Sequence, residues 1–398
     1  MKQASKLSAF FSLYLAQAVP LSLFSTLLPV LMRQNSFSLS TIGLLQLIKL
    51  PWILKFFWAP LVDKKTESLA DFKRWIVSSE ILYALLILII AFLDLDLNFY
   101  LIFILMLLSF VASATQDIAT DALAALSFDY RERSRANSMQ SMGSFAGTLI
   151  GSGLLMLLYK QIGWPATFIG VAFFLVLALT PILRYKDCDL PVQKDKVRLT
   201  PKDISRFFSQ KGGIRQTIFL MLFQTGLIGI LAMYKPFLVD HGLGIKDIGL
   251  IFGVFGPFLG VLSSFSAGFL IRRLNRQTAK RLIAALMIPI PLLFLGMTLI
   301  NPTIPMLYGF VGILWAVYGL ASVLTNTAAM DFVRSGREGT DFTLQTVLVH
   351  FSSMLIATLS GGLADQFGYN GLAFAMLCLT ILSLTYLILF DKKQDHVE

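Results

Sequence analysis

Twelve apolar runs follow one another along the chain, at approximately residues 9–31, 42–62, 75–93, 99–122, 138–158, 164–183, 216–239, 247–270, 282–300, 306–330, 343–364 and 370–390. Each is long enough for a helix that crosses a bilayer, which needs roughly 20 residues. Short hydrophilic turns separate all but the sixth and seventh runs, where a longer polar segment rich in Lys and Arg extends from about 184 to 215. The pattern predicts an all-α polytopic membrane protein with twelve transmembrane helices. They would form an N-terminal six-helix bundle (1–183), a cytoplasmic linker (184–215) and a C-terminal six-helix bundle (216–398). Within the linker, Thr200 as a cap and Pro201 in the first turn would open a short surface helix over about 201–210. The first run has no small-residue cleavage pattern and reads as a mature helix, not a removed signal.

The two bundles read as pseudo-symmetric copies. Run 1 holds Gln17 and Pro29, run 7 holds Gln224 and Pro236, and the spacing of twelve is the same in both. Run 2 opens with Ile42-Gly43-Leu44 and reaches Pro51, while run 8 opens with Ile248-Gly249-Leu250 and reaches Pro257. Run 4 carries Thr115-Gln116-Asp117-Ile118-Ala119-Thr120-Asp121, which returns in run 10 as Thr325-Asn326-Thr327-Ala328-Ala329-Met330-Asp331 without the first carboxylate. The offsets, 206 to 210 residues, agree with one another.

Polar groups inside the runs narrow the reading. Asp117 and Asp121, four residues apart, share a helix face. A charge near mid-membrane costs at least ~2.5–3.5 kcal/mol unless it finds a partner, a proton or water, so that face is expected to look into the protein. Run 2 adds Gln46, Lys49 and Lys55, where run 8 has Phe255 and Val261 in place of the two lysines. Lys49, in the outer half, is placed to snorkel toward headgroups. Lys55 lies deeper, in the same half of the bundle as Asp117 and Asp121, and a Lys–Asp pair is the simplest way to neutralise both charges. That pair reads either as a static link between two helices or as a proton-responsive element. Gln140 in run 5 and Gln345 in run 11 follow charged inner loops, Asp129 to Arg135 and Arg337-Glu338. His350, beside Ser352 and Ser353, reads as an interior, hydrogen-bonded histidine or as a relay. Gly253, Gly256 and Gly260, with Pro289 and Pro291, permit close helix approach and bends.

Composition removes other classes. Net charge is +10, yet 27 of the 33 Lys and Arg fall on one side if the N-terminus is inside. The positive-inside rule then puts both termini in the cytoplasm, and the basic balance reports topology and attraction to anionic lipid rather than nucleic acid. Two cysteines, Cys188 and Cys378, and three scattered histidines offer neither a disulfide framework nor a metal set. No nucleotide motif and no clustered nucleophile and base argue for an enzyme. The expectation is no cofactor, no metal and no nucleic acid, with a small-molecule solute, protons and the lipid bilayer as partners of a monomer.

Twelve helices in two halves with a long central loop resemble the major facilitator superfamily, and Ala59-Pro60-Leu61-Val62-Asp63-Lys64 resembles a degenerate form of its signature after helix 2. The usual Gly and downstream Arg pair are missing; Lys73-Arg74 lies nearby, and the matching segment after run 8 is Ala267 to Arg273. More narrowly, Lys55-Phe56-Phe57-Trp58-Ala59-Pro60-Leu61-Val62-Asp63 together with Thr115 to Asp121 is similar to the branch of AmpG muropeptide permeases, acetyl-CoA transporters and RhtX/FptX siderophore importers. The resemblance implies a proton-driven secondary transporter of an amphipathic organic solute, working by alternating access in a bacterial inner membrane, with import as its direction. By the family's pattern runs 1, 4, 7 and 10 line a central cavity, which would bring Gln17, Gln116, Asp117, Gln224, Tyr234 and Asn326 toward it. Asp63 and the inner-loop arginines Arg131 and Arg133 would form an inward gate.

The candidate assignment follows. Asp117 and Lys55 are the proton-coupling pair, because the counterpart of Asp117 in the second half is Thr327. Asp121 and Asp331, kept in both halves at inner helix ends, join Asp63, Arg131 and Arg133 as gate residues. Gln17, Lys49, Gln116, Gln224, Tyr234, Asn326, Gln345 and His350 are the candidate solute contacts, and the lysines tilt the solute toward an anion. An uncoupled facilitator, an exporter, or a non-transporting membrane sensor on the same fold remain as alternatives at this stage.

Overall fold

A computed structural model describes residues 2–34, 45–186, 202–300 and 302–390, and among these every regular element is helical. Packing separates the chain into two compact units, Met1–Leu199 with Val333–Thr343, and Thr200–Phe332 with Leu344–Glu398. The first unit contains α1 (Lys2–Gln34), α2 (Leu50–Leu54), α3 (Ala59–Lys64), α4 (Leu69–Ala91), α5 (Phe99–Ser127), α6 (Arg133–Thr148), α7 (Leu155–Ala178) and α8 (Thr180–Arg184). The second contains α9 (Lys202–Ser209), α10 (Gly213–Leu222), α11 (Thr225–Asp240), α12 (Ile245–Leu250), α13 (Gly256–Arg273), α14 (Arg276–Met287), α15 (Pro289–Thr298) and α16 (Ile304–Met330). The first turns of α17 (Glu338–Phe390) lie in the first unit and the rest in the second. Ile42-Gly43-Leu44, Cys188, Thr200 and Pro201 lie outside the described residues.

Among the described residues, nine helical stretches are long and apolar enough to cross a membrane. Two of them, Arg133–Arg184 and Glu338–Phe390, have 52 and 53 residues. At 1.5 Å per residue each is far longer than one ~30 Å hydrocarbon layer requires. Each contains one glycine with a non-helical backbone, Gly163 (φ 73°) and Gly368 (φ 68°), a conformation that glycine adopts without penalty. Each therefore supplies two crossings, and the two glycines are 205 residues apart, in step with the sequence repeat.

The crossing predicted as one continuous helix over 42–62 is instead segmented. A 3-10 stretch Leu45–Lys49 leads into α2, a second 3-10 turn Lys55–Phe57 follows, and α3 completes it. The cause is Pro51 and Pro60, each in the first turn of its segment: a residue without an N–H tolerates only that part of a helix. The break places Lys55 in the tight turn between segments, its side chain buried.

In the first unit α1 lies against α6, and the fit depends on glycine. A methyl group on Gly143 would stand 2.8 Å from the Tyr14 Cβ, and one on Gly147 would collide with Ala18. The remaining core is apolar: Phe24 stacks on Phe168 at 5.2 Å and meets Phe110 edge-on at 6.0 Å, while the Trp164 indole donates to the Ile90 carbonyl at 3.0 Å. α4 is capped reciprocally by Ser68 and Asp71. In the second unit Gly256 of α13 faces the Trp315 ring of α16, and Asn275 caps α14 by accepting from the Thr278 N–H at 2.7 Å.

Candidate functional site

The C-terminal half of α5 is buried continuously from Gln116 to Ala125, and its polar face is where the charges meet. Lys55 Nζ pairs with Asp117 Oδ2, with both side chains 4% exposed or less. The ammonium also lies 5.1 Å from the centre of the Trp52 ring, a cation–π distance. Three residues on, the Trp58 indole donates to Thr115 Oγ1 at 3.1 Å. The two segments that carried the narrower family likeness are thus in direct contact, joined by an ion pair and a hydrogen bond one helical turn apart.

Asp121, one turn below Asp117, has a different environment. Tyr14 of α1 donates its hydroxyl to Asp121 Oδ1 at 2.7 Å, and Gln140 of α6 donates to the same oxygen at 3.2 Å. Oδ2 is buried without a hydrogen-bond donor in the structure. Lys55 acts on Asp121 only at longer range, alongside Asp117. The cluster therefore holds one ammonium and two carboxyl groups away from water. Both carboxyls ionised would leave a net negative charge in an apolar interior, which is strongly disfavoured, and one proton makes the cluster neutral. At the residue before Asp117, Gln17 of α1 donates to Gln116 Oε1.

In the second unit the pseudo-equivalent positions carry no such charge. Gln224 donates to Thr325 Oγ1 at 2.5 Å and to the Ala321 carbonyl at 3.2 Å; its partner lies one position before Asn326, the counterpart of Gln116. Thr327, standing where Asp117 does, returns its hydroxyl to the Val323 carbonyl at 2.6 Å. Asn326 is half-buried. Gln345 accepts from Gln216 and donates to the Ala329 carbonyl, both at 2.9 Å, so it ties together three helical segments. Tyr234 is fully buried, donates to the Leu307 carbonyl at 2.9 Å, and is ringed by Phe237, Phe252, Phe294 and Phe310. Its hydroxyl and ring are occupied by the second unit's own core. His350, expected to be interior, is exposed, as is Lys49; His350 stands on the face of α17 opposite Gln345, which is buried.

Of the gate candidates, Asp63 has the most developed geometry. Its carboxylate accepts from the Gly339 N–H (3.0 Å), the Thr340 N–H (2.6 Å) and the Thr340 hydroxyl (2.5 Å), all in the first turn of α17. A carboxylate there meets unsatisfied amides and the positive end of the helix dipole. Burial nevertheless dominates and pushes the Asp63 carboxyl up to about 7, with the Thr340 and Gly339 donors pulling the other way. The preceding loop is closed on itself, since Arg334 grips Asp341 through Nε (2.7 Å), NH2 (2.6 Å) and its backbone N–H (3.0 Å). Asp331 pairs with Arg276 at 2.7 Å in the second unit. Arg131 is exposed and Arg133 half-buried.

Sequence reasoning passed over three features. Tyr14 is three residues before Gln17, about one turn away, a spacing that would have placed it on the same face. Gly143, Gly147 and Gly151 repeat every four residues, the small-residue pattern of close helix pairs. Glu80 stands alone in the third apolar run, the same signal that drew attention to Asp117.

A chain whose described residues form only helices, nine stretches of them long and apolar enough to cross a membrane, with charge buried on one helix face, defines a polytopic membrane protein. Residues 9–355 match the Major Facilitator Superfamily, and the chain belongs to that family. Among curated proteins it is similar to the anhydromuropeptide permease of Escherichia coli K12, with 25% identity over 266 residues that cover 65% of this chain. The match spans 54% of that permease's length. Among solved structures it is similar in fold to the human organic anion transporter MFSD10 (TM-score 0.74, 13% identity, 97% of this chain and 100% of that one). A bacterial homologue of the iron transporter ferroportin in an outward-facing state is also similar (TM-score 0.70, 17% identity, 98% of each chain).

Proposed function

We propose that the chain is a proton-driven importer of an amphipathic, anionic organic solute of the anhydromuropeptide type. It would act as a monomer in a bacterial inner membrane with both termini in the cytoplasm. The observation that supports proton coupling is the buried count of one ammonium to two carboxyl groups at Lys55, Asp117 and Asp121. Asp117 is already neutralised by Lys55, and Asp121 has a buried oxygen without a donor. On this reading Asp121 holds the exchangeable proton in the present state, Tyr14 and Gln140 orient its carboxyl, and Lys55 and Asp117 supply the charge that the proton balances. When the bundles rock about a central site and water reaches the face, Asp121 discharges.

The solute class rests on likeness to the E. coli permease, together with Lys49 and the paired glutamines Gln17 and Gln116. Asp63, at the first turn of α17, is assigned the inward gate. The test is uptake of labelled anhydromuropeptide into proteoliposomes under an imposed pH gradient, for the wild type, Asp121→Asn and Asp117→Asn. Expected is accumulation in the wild type, its loss in Asp121→Asn, and solute exchange that persists in that variant. Uptake that ignores the gradient in the wild type refutes coupling and favours an uncoupled facilitator.

A further inference from the structure

Glu80 lies near the middle of α4, fully buried, and neither of its carboxyl oxygens has a hydrogen-bond partner among the described residues. Among the described residues no ionised side chain acts on it. An unpaired carboxylate in such a place is prohibitively costly, so the group must carry a proton. Its surroundings are not inert, however. Tyr83, three residues on and on the same helix face, is within electrostatic reach of Glu80 and also of the Ser113 hydroxyl on α5. The Tyr83 and Ser113 hydroxyls are themselves buried and outside hydrogen-bond geometry. Ser113 is one turn from Asp117 on the same face of α5. From α5, then, Ser113 faces this spot, with Asp117 and Asp121 beyond it. The other helix packed on α4 is α7, whose titratable Tyr159 and Lys160 lie before its break at Gly163. Asp71, Lys73 and Arg74 stand six to nine residues before Glu80, in the first turns of α4.

We propose that Glu80 is a second proton-carrying carboxyl of the first unit, connected to Asp117 through the hydroxyls of Tyr83 and Ser113. The transfer balances, since each hydroxyl accepts one proton and gives up one: in the state where water reaches this face and Asp121 has discharged, a single proton leaves Glu80, whose carboxylate is then hydrated, and a single proton arrives on Asp117, passing Lys55 to Asp121. The idea rests on the proton-coupled reading above, but it is tested without transport, so the two fail separately.

The chain has five glutamates, and Glu80 alone lies within an apolar run. Infrared spectra of the full chain in lipid, with and without side-chain carbon-13-labelled glutamate, therefore isolate its carbonyl stretch even if no variant folds. Expected at neutral pH is a carboxylic-acid band that shifts with the glutamate label, disappears in Glu80→Gln, and moves on transfer to deuterium oxide. In Tyr83→Phe the band is expected to remain while its deuterium shift is lost over the same interval. A spectrum with no label-sensitive acid band overturns the proposal, because Glu80 is then ionised. A band that never exchanges, or exchanges equally in Tyr83→Phe, overturns it too, since the proton is then sealed in place or travels by another route.

Discussion

Replacing Lys55 with Met removes the one cation from a cluster that keeps both carboxyl groups. The ammonium is 1% exposed and its partner Asp117 4%, so the pair belongs to the buried class, in which deleting one partner costs about 3–5 kcal/mol because the other charge is stranded. Asp117→Asn removes a partner from the same pair, yet Lys55 then still has Asp121 within range. Its loss should be smaller by about 1.5–3 kcal/mol, the worth of a hydrogen bond to a charged group. The double variant Lys55→Met/Asp117→Asn leaves no stranded partner of that pair and should recover most of the Lys55→Met loss. Unfolding in mild detergent, followed by tryptophan fluorescence, ranks the four proteins. The expected order is wild type, then the double variant and Asp117→Asn together, then Lys55→Met. If Lys55→Met unfolds with the wild type, or if the double variant equals the sum of the two singles, the charges are not coupled and the one-proton count at the cluster loses its basis.

Tyr14→Phe keeps the ring and removes the donor to Asp121; gradient-driven uptake should fall while solute exchange holds, and equal loss of both would assign Tyr14 to packing. Gly147→Ala forces a methyl into Ala18 and should destabilise by about 1–3 kcal/mol, the usual range for overpacking, whereas Gly170→Ala, with open space around it, should unfold as the wild type does. For Asp63 the carboxyl sits at about 7 in the folded chain against an ordinary 3.8. A raised carboxyl binds its proton more tightly when docked, so the stabilisation is fully present below about pH 4 and is lost as pH climbs through 7. Hydrogen exchange of the amides at 339–343, corrected for intrinsic rates, should show protection falling across that window, and Asp63→Asn should flatten it. Gln345→Leu removes the bonds to Gln216 and to the Ala329 carbonyl, but Gln216 keeps the Ala328 carbonyl and the Ala329 carbonyl keeps the Phe332 N–H, so the loss should be about 0.5–1.5 kcal/mol per bond, read by the same fluorescence unfolding.

What the sequence disclosed followed from how strongly each rule binds. Hydropathy and the repeat gave the helical class because a bilayer leaves a spanning chain few alternatives. Charge inside a run pointed to Lys55 and Asp117 because such a group must find a partner. Less legible was anything that depends on which neighbour a helix meets. Pro51 and Pro60 were visible, yet the segmentation they cause depends on whether neighbouring helices stabilise the short pieces. Tyr234 carried the signal of a polar aromatic on a predicted cavity helix; only the ring of phenylalanines from α11, α15 and α16 reveals that it belongs to a core. His350 needed its angular position on α17, which a single polar residue in an apolar run does not define.

The two units also divide the chemistry unevenly, and the division constrains any account of the cycle. At matched positions the first has Asp117, Lys55 and Asp121 in one buried cluster. The second has Thr327 bonded to its own helix, Val261 in place of Lys55, and Asp331 engaged with Arg276. A group that hydrogen-bonds its own backbone responds little to a passing proton, and an ion pair at a helix end is already balanced. Titration in the second unit would therefore have little to change, while in the first a single proton alters the net charge of a dry site. Moving Asp117 to the second unit, as Asp117→Thr with Thr327→Asp, is accordingly expected to abolish gradient-driven uptake instead of relocating it, since no lysine stands at 261 to receive the carboxylate. Recovery of uptake in that swapped protein would mean that the position along the membrane, and not the Lys55 cluster, determines where the proton is carried.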